Sequence, residues 1–387
     1  MNIRKTIYFL VVLAFFTTAS IASAAEVNTR YLVKNHSQFW KKSFGVRHEF
    51  NAGFTADLNE WQLKLAKVFG VEVEPVKRLN ILPAATKRPK ALNKVPTEQV
   101  SWGVRMMYGG LDPLVPDGGS DVQVAVLDTG VAKNHPDLKN RIKACRDFTN
   151  PGDAVMEGKC DDKNGHGTHI AGIIAADGGL EGKGIYGMAP ESNILAYKVC
   201  MNNGTCYSDD VAAAIKSAAD HNAQVINLSL GSDADNPLLE EAISYAFQKE
   251  VLVIAAAGND GPYDGSIDYP AALSSVISVG ALDVNGDIPD WSSRGENESS
   301  TPYVRDDKDI DFAGPGVNIE STGKDGDYVV FSGTSMATPH IAGLAAKLWQ
   351  RDAEHPGQAT KEILTQFAKD IFPLGDDNGS GWGIPTL

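Results

Sequence analysis

The feature that most restricts how this chain can fold is a series of short, nearly continuous apolar runs separated by helical stretches. Val122–Leu127, Asn193–Val199, Gln224–Leu230, Val251–Ala257 and Val276–Val279 each read as a strand. Val211–His221 and Leu238–Glu250 lie between them, with Thr168–Ala176 and Met336–Gln350 to either side, and all four show helical spacing of apolar residues. A strand that is apolar at almost every position has both faces buried, whereas a half-buried strand would alternate. Alternation of such strands with helices predicts an α/β fold, a mainly parallel sheet covered by helices on both faces. Ligand sites in such sheets lie beyond the carboxyl ends of the strands. No internal repeat or low-complexity tract breaks the pattern.

The 387 residues exceed one compact domain, and the part before the sheet divides into three. Residues 1–24 read as a signal peptide: Arg4 and Lys5, an apolar run from Ile7 to Phe16, then the small residues Ala22-Ser23-Ala24. That run is short of the ~20 residues a membrane-spanning helix needs, with an uncleaved anchor as the alternative. No later stretch is apolar enough to span, so a secreted protein, extracellular or periplasmic and free of the membrane once the signal is removed, is expected. Residues 25–82 predict a small α+β unit. It has strand-like Arg30–Val33, an apolar run at Phe50–Phe54, helical spacing at Leu58, Trp61, Leu65 and Val68, and alternation over Val71–Val76. Residues 83–96, with three prolines and Lys87, Arg88, Lys90 and Lys94, read as an exposed basic linker, and residues 97–387 carry the α/β body.

Charge separates the same parts. The whole chain has 35 basic and 49 acidic residues, a net of −14, which argues against a nucleic-acid partner. From Glu26 to Lys94 there are 13 Lys/Arg against 6 Asp/Glu, a net of +7, and from Val95 onward 20 against 43, a net of −23. Two separately soluble domains, or two surfaces made to meet, both account for this contrast. The four cysteines all lie in the acidic body, and an even count in an exported chain favours disulfides. Proximity suggests Cys145–Cys160 and Cys200–Cys206, although three pairings are formally open. A zinc site is the rival, but no Cys-x2-Cys pair supports it.

Three segments carry chemistry. Asp128-Thr129-Gly130 follows a strand directly, Gly165-His166-Gly167-Thr168-His169 opens a helix, and Gly333-Thr334-Ser335-Met336-Ala337-Thr338-Pro339-His340 opens another. A serine hydroxyl is a weak nucleophile until a base takes its proton. His166 can be that base, and a carboxylate such as Asp128 would hold its tautomer and stabilise the imidazolium. Taken singly, each piece has a plainer explanation: Ser335 as a helix cap, Asp128 as a turn residue, His166 as a packed ring. Asp-Thr-Gly also suits aspartic proteases, but a second copy is missing. His166 and His169 are spaced like metal ligands without a third partner. Gly333-x-Ser335-x-Ala337 approaches the nucleophile elbow of the α/β-hydrolases, whose chain order is Ser, acid, His rather than Asp, His, Ser.

That order, with Val126-Leu127-Asp128-Thr129-Gly130, Asn164 to Gly172 and Gly333 to His340 each intact, resembles the subtilisin-like serine proteases, the subtilases, from about Val95 to the end. The resemblance implies a subtilisin-like fold and a serine endopeptidase. In it Asp128 orients, His166 is base and then acid, Ser335 attacks, and Asn259, within Ala255-Ala256-Ala257-Gly258-Asn259, is the oxyanion donor. It also implies that Ser229-Leu230-Gly231, with Gly258, and the opposite rim Asn203-Gly204-Thr205 pair with extended polypeptide substrates, giving broad specificity. Asp260, and Asp268 before Tyr269-Pro270, depart from the family pattern at the first specificity pocket and would favour Lys or Arg, unless both face solvent.

Residues 25–82, with Gly53-Phe54-Thr55-Ala56-Asp57-Leu58, resemble the family's inhibitory propeptides. A self-processing zymogen follows, the propeptide serving as intramolecular inhibitor and folding aid, with Lys94–Val95 a plausible cut. Asp137 in His135-Pro136-Asp137-Leu138 resembles a ligand of a structural Ca²⁺, to which the Asp177–Tyr186 loop with Glu181 would add oxygens. No catalytic cofactor and a monomer are expected. A subtilase-fold binding protein that no longer cleaves, and a dedicated processing protease using the acidic Arg294–Asp311 loop, are the alternatives.

Overall fold

The computed structural model describes residues 29–82, 90–91, 94–110, 115–179, 181–297, 306–371 and 375–387. The expected signal segment, most of the linker and the middle of the Arg294–Asp311 loop lie outside these residues.

The N-terminal unit is an antiparallel sheet with two helices. In chain order it runs β1 (Arg30–Val33), α1 (Gln38–Phe44), β2 (Glu49–Phe50), β3 (Gly53–Asp57), α2 (Glu60–Val68) and β4 (Val73–Pro75), with the sheet ordered β2-β3-β1-β4. Val33, Trp40, Phe44, Phe54, Ala56, Leu58 and Ala66 form its own small core. The helix expected around Leu58 to Val68 forms, but its buried face differs from the expected stripe. Asn59 caps it and makes a reciprocal capping box with Gln62. Leu58 therefore sits before the cap, where with Leu63 it joins the core as a hydrophobic staple. Trp61 and Val68 fall on the outer face, 67% and 79% exposed.

The chain then leaves this unit as β5 (Arg78–Ile81), β6 (Lys90–Ala91) and α3 (Trp102–Met107). The body follows as β7 (Gln123–Asp128), β8 (Ile142–Asp147), β9 (Met156–Glu157), α4 (His166–Ala175), β10 (Asn193–Lys198) and β11 (Thr205–Tyr207). Next come α5 (Ser208–Asp220), β12 (Val225–Leu228), β13 (Leu230–Gly231), α6 (Pro237–Gln248), β14 (Leu252–Ala256) and β15 (Ile277–Leu282). The last elements are β16 (Phe312–Pro315), β17 (Ile319–Thr322), β18 (Tyr328–Phe331), α7 (Thr334–Lys347), α8 (Pro356–Phe367), β19 (Ala368–Lys369) and β20 (Ile384–Pro385).

An eight-stranded sheet, ordered β16-β15-β14-β12-β7-β10-β8-β9, is parallel throughout except for the β8–β9 edge pair. Its apolar strands are buried on both faces, as their composition requires. One face packs in a cluster with α4 and α7, and the other in a cluster with α5 and α6. After β7 the chain crosses to β8 and the edge strand β9, returns to β10 between β8 and β7, and with β12 then starts the other side. The carboxyl end of β7 is thus the topological switch point, where such sheets bind ligands.

Disulfides join Cys145 to Cys160 and Cys200 to Cys206. The one surprise is β5. It lies between β11 and β13, antiparallel to both, so the end of the N-terminal unit is a strand of the body.

Candidate active site

Asp128 ends β7 and is wholly buried. His166 is the first residue of α4, after Gly165 in a left-handed conformation (φ 109°). Gly167 makes the approach of the two segments feasible, since a Cβ there would lie 2.2 Å from the Gly130 carbonyl oxygen and 3.0 Å from the Asp128 Cβ. His166 Nδ1 lies 2.9 Å from both carboxylate oxygens of Asp128, and the Thr129 N–H also donates to Asp128 Oδ1 (2.7 Å). That contact keeps the ring proton on Nδ1, which donates to Asp128, and leaves Nε2 as the basic nitrogen. Burial favours the neutral ring, but the Asp128 charge and hydrogen bond, with a smaller effect of Asp162, outweigh it. His166 therefore titrates above its ordinary value.

Ser335 is the second residue of α7 and fully buried. Its Oγ lies 3.2 Å from the Ser229 carbonyl oxygen and 3.4 Å from that of Leu82, two alternative acceptors for one proton. His166 Nε2 is buried and has no hydrogen-bond partner among the described residues, so Asp128 and His166 are joined here while His166 and Ser335 are not. Asn259 is held by Thr334, whose N–H (3.0 Å) and hydroxyl (3.1 Å) both donate to Oδ1. This fixes which end of the amide is which, and Nδ2 is its donor end.

The groove beside Ser335 is built from the residues expected to bind peptide. Leu230 pairs with Ile81 and Gly231 with Asn80 on one side, while Thr205 pairs with Asn80 on the other. The Ile81 N–H donates to the Gly204 carbonyl (2.9 Å), and a Cβ on Gly204 would meet Ile81 at 2.7 Å. Asn203 faces its own turn instead, accepting from the Thr205 N–H at 3.0 Å. Ser229 contributes through its hydroxyl, which donates to the Ser335 carbonyl (2.9 Å). Leu82, not Lys94, therefore has its carbonyl at the Ser335 hydroxyl, because β5 ends there. Asp268 is buried (3% exposed) beside Gly231 and Gly258, and Asp260 is held next to it through its N–H bond to Ser293 Oγ (3.0 Å).

Two supporting residues escaped the sequence reading. Asp162 accepts from the N–H groups of Asn164, Gly165 and Thr168 and the hydroxyls of Thr129 and Thr168, at 2.6–3.0 Å. It so caps α4 and ties it to the turn after Asp128. The available signal was an Asp just ahead of a helix start. Asn227 Nδ2 donates to Ser229 Oγ (3.0 Å), a contact with no local signature. His169 is not a ligand. Its Nε2 lies against the Ile319 and Val329 carbonyls, and burial pulls its pKa to about 3, so it stays neutral.

Asp137 is buried, its Oδ2 accepting from the Ile185 N–H (2.9 Å) and the Tyr328 hydroxyl (2.8 Å). Cβ atoms on Gly179 and Gly184 would come within 2.8 and 2.1 Å of Oδ1, so the glycine loop closes around that oxygen. Glu181 is turned outward to Lys183 (2.7 Å).

A buried carboxylate–imidazole pair at the switch point of a parallel sheet, beside a helix-start serine and a groove that holds an extended strand, has the make-up of a serine hydrolase site. The model of the subtilase family matches residues 119–383, and the chain belongs to that family. It is a serine endopeptidase of subtilisin type. The subtilisin of Bacillus sp. (strain TA39) is 40% identical over 395 aligned residues, covering 94% of this chain and 93% of its own. The M-protease of Shouchella clausii (strain KSM-K16) is 33% identical, covering 95% and 93%. Among solved structures, sphericase and the S41 psychrophilic protease each superpose with a TM-score of 0.72 at 42% identity, covering 75% of this chain and 99% of theirs. Among the described residues no helix is long and apolar enough to cross a membrane.

Proposed function

We propose that Ser335, His166, Asp128 and Asn259 carry out the peptide hydrolysis of this family member through an acyl-enzyme. His166 Nε2 takes the Ser335 proton as Oγ bonds to the scissile carbonyl carbon. The charge arriving on the carbonyl oxygen is met by Asn259 Nδ2 and the Ser335 N–H, of which one such side-chain donor is worth about 3–4 kcal/mol. The C–N bond then breaks, the amine leaving with the proton from Nε2, and water hydrolyses the ester by the reverse transfers. Asp128 holds the ring and stabilises its charged form. The observation carrying this reading is the Asp128–His166 contact with an unpartnered Nε2 beside a serine whose hydroxyl already faces a peptide carbonyl.

Residues 25–82 act on this reading as an inhibitory propeptide, followed by the linker 83–96 and the catalytic body 97–387, in a secreted precursor that processes itself. The seating of β5 in the groove supports it. Asp260 and Asp268 give a preference for Lys or Arg at P1, the residue whose carbonyl is attacked. A structural Ca²⁺ would be held by Asp137 Oδ1 with backbone carbonyls of the 177–186 loop, an all-oxygen set suited to a hard cation. It would supply a structural charge and take no part in the chemistry. A catalytically silent binding role is favoured only by the open Nε2–Oγ distance, for which the turn of the hydroxyl toward Leu82 accounts.

Expression of the precursor with Ser335→Ala beside the parent tests the mechanism. The parent is expected to shorten and to digest casein, and the variant to persist at full length without digesting it. Conversion or caseinolysis by the variant would overturn the assignment.

A further inference from the structure

The groove ends in a group of carboxylates larger than the pair seen in the sequence. Ser232 and Tyr269 exchange backbone hydrogen bonds (3.0 and 2.9 Å), and the Asp268 N–H donates to the Ala257 carbonyl (2.7 Å). These bonds knit the segments around 230–233, 257–260 and 268–270 together at the end of the groove that holds β5. A Cβ on Gly231 would meet the Asp268 Cβ at 2.9 Å and Oδ2 at 3.0 Å, and one on Gly258 would meet Oδ2 at 2.9 Å. The Asp268 carboxylate thus fills the space between two glycine walls, one residue of chain away from Asn259.

Asp233 and Asp260, both exposed, each bring a carboxylate oxygen to it, and the three oxygens lie within 4.8 Å of one another. Among the described residues no N–H, ammonium or guanidinium donates to the Asp268 side chain. The side chains that come to its carboxylate are the acids Asp233 and Asp260. Burial, then the charges of Asp260 and Asp233, raise Asp268 to about 7. Both groups facing it are anionic, one from the segment after β13 and one from that after β14. A buried acid partnered only by acids lacks a cation.

We propose that Asp233 is a third specificity-determining residue, which together with Asp260 and Asp268 binds a cationic P1 side chain, guanidinium ahead of ammonium. This rests on the basic-P1 reading above and adds to it a residue and an order of preference. A guanidinium offers five N–H donors in a planar fork and can engage carboxylates on different walls at once, whereas an ammonium is a compact charge with three. Asp233 acts on the bound cation directly, and on Asp268 by raising the pH at which that acid ionises. Leu82, which occupies the P1 position here, leaves the charge uncompensated.

The test uses the mature enzyme and three peptides identical except for Arg, Lys or Leu at P1, with kcat/KM measured from pH 5.5 to 9. The parent is expected to prefer Arg, then Lys, then Leu, with the Arg/Leu ratio rising as pH passes through about 7. In Asp233→Asn the ratio should fall about tenfold, the scale of one charge-assisted contact, mainly through KM. Turnover of the Leu peptide should hold, and the rise should move to lower pH because Asp268 has lost a like-charged neighbour. Asp233→Glu should restore both. A parent that prefers Arg while Asp233→Asn keeps its ratio and its pH profile would overturn the role of Asp233 alone. A parent with no preference for Arg over Leu would overturn the basic-P1 reading, and this proposal with it.

Discussion

Pro339 stands one helical turn after Ser335 and has no N–H to give the Ser335 carbonyl. Ser229 Oγ supplies that hydrogen bond from the end of β12, and Asn227 in turn holds Ser229. A helix defect is thus used to fasten the Ser335 backbone to the sheet. Asp162 does the corresponding work for His166, satisfying the free N–H groups at the start of α4. Asp128, His166 and Ser335 were legible because each stands in a local pattern, a strand end or a helix start. Asn227, Asp162 and Asp233 were not, since what they touch comes from other segments. The raised pKa of His166 has a definite sign in catalysis. Nε2 must be neutral to accept a proton, so the acid limb of kcat/KM should have its midpoint above the ordinary imidazole value. Replacing Asp128 by Asn removes the charge that chiefly raises it while burial remains and only the smaller effect of Asp162 is left, so the midpoint should move down, with kcat reduced by about 10⁴-fold. A pH–rate profile of both enzymes checks this, and an unmoved limb in the variant would refute the coupling. For stability the same shift contributes below the unfolded-state pKa and is lost as pH rises through the folded value.

At the scale of elements, the attachment of the N-terminal unit depends on α5 and on β5. Asp209 and Asp210 lie in the first turn of α5, where acids suit the helix dipole. Arg30 Nη1 lies 2.7 Å from Asp210 and 3.4 Å from Asp209, Arg47 Nε lies 2.9 Å from Asp210, and His48 Nε2 3.1 Å from it. The charge contrast seen in the sequence therefore does describe two surfaces that meet. The pairs are nearly solvent-free, with side-chain exposures of 5% or less for Arg30, Arg47, Asp209 and Asp210. Salt screens such pairs far less than exposed ones. Burial alone would raise Asp210, but His48, Arg30 and Arg47 together hold it below the usual carboxylate range. Its stabilising effect is present above the unfolded value and is lost as pH falls through the lowered one. In the Ser335→Ala precursor, Asp210→Asn should lower the opening free energy of the Ile81 amide by about 2–5 kcal/mol, the cost of breaking a buried pair. Added salt should change it little, and amide exchange reads both. A large salt effect with little effect of Asp210→Asn would reverse the account. β5 was not legible because Arg78-Leu79-Asn80-Ile81 is short and its partners belong to the body. The buried face of α2 was not legible because Leu63, Leu65 and Ala66 also offer apolar positions, and packing against the sheet rather than spacing chose them over Trp61 and Val68.

Across the whole molecule the parallel sheet was legible, since runs apolar on both faces have few other places to go. The ties between distant segments were not, because no periodicity encodes them. Asp137 is the clearest case. It lies between β7 and β8, bonds to Ile185 in the loop before β10, and accepts from Tyr328 at the start of β18. The Asp177 N–H donates to the Asp137 carbonyl (3.0 Å), and the Tyr186 N–H to that of Gln99 (2.7 Å), so the same loop also holds the chain that follows the linker. A cation on Asp137 Oδ1 would bind the folded arrangement only, because the unfolded chain scatters these oxygens. Its stabilisation then follows the degree of saturation, about 2.7 kcal/mol at a hundredfold excess over Kd. For a body of this size that corresponds to a fall in Tm of roughly 4 °C on chelation. The Ser335→Ala variant, which is expected not to digest itself, is the one to melt with and without chelator. Asp137→Asn in that background should melt lower and lose its response to chelator, because the ligand oxygen is gone. If the Ser335→Ala protein melts at the same temperature with and without chelator, the buried Asp137 is held by Ile185 and Tyr328 alone.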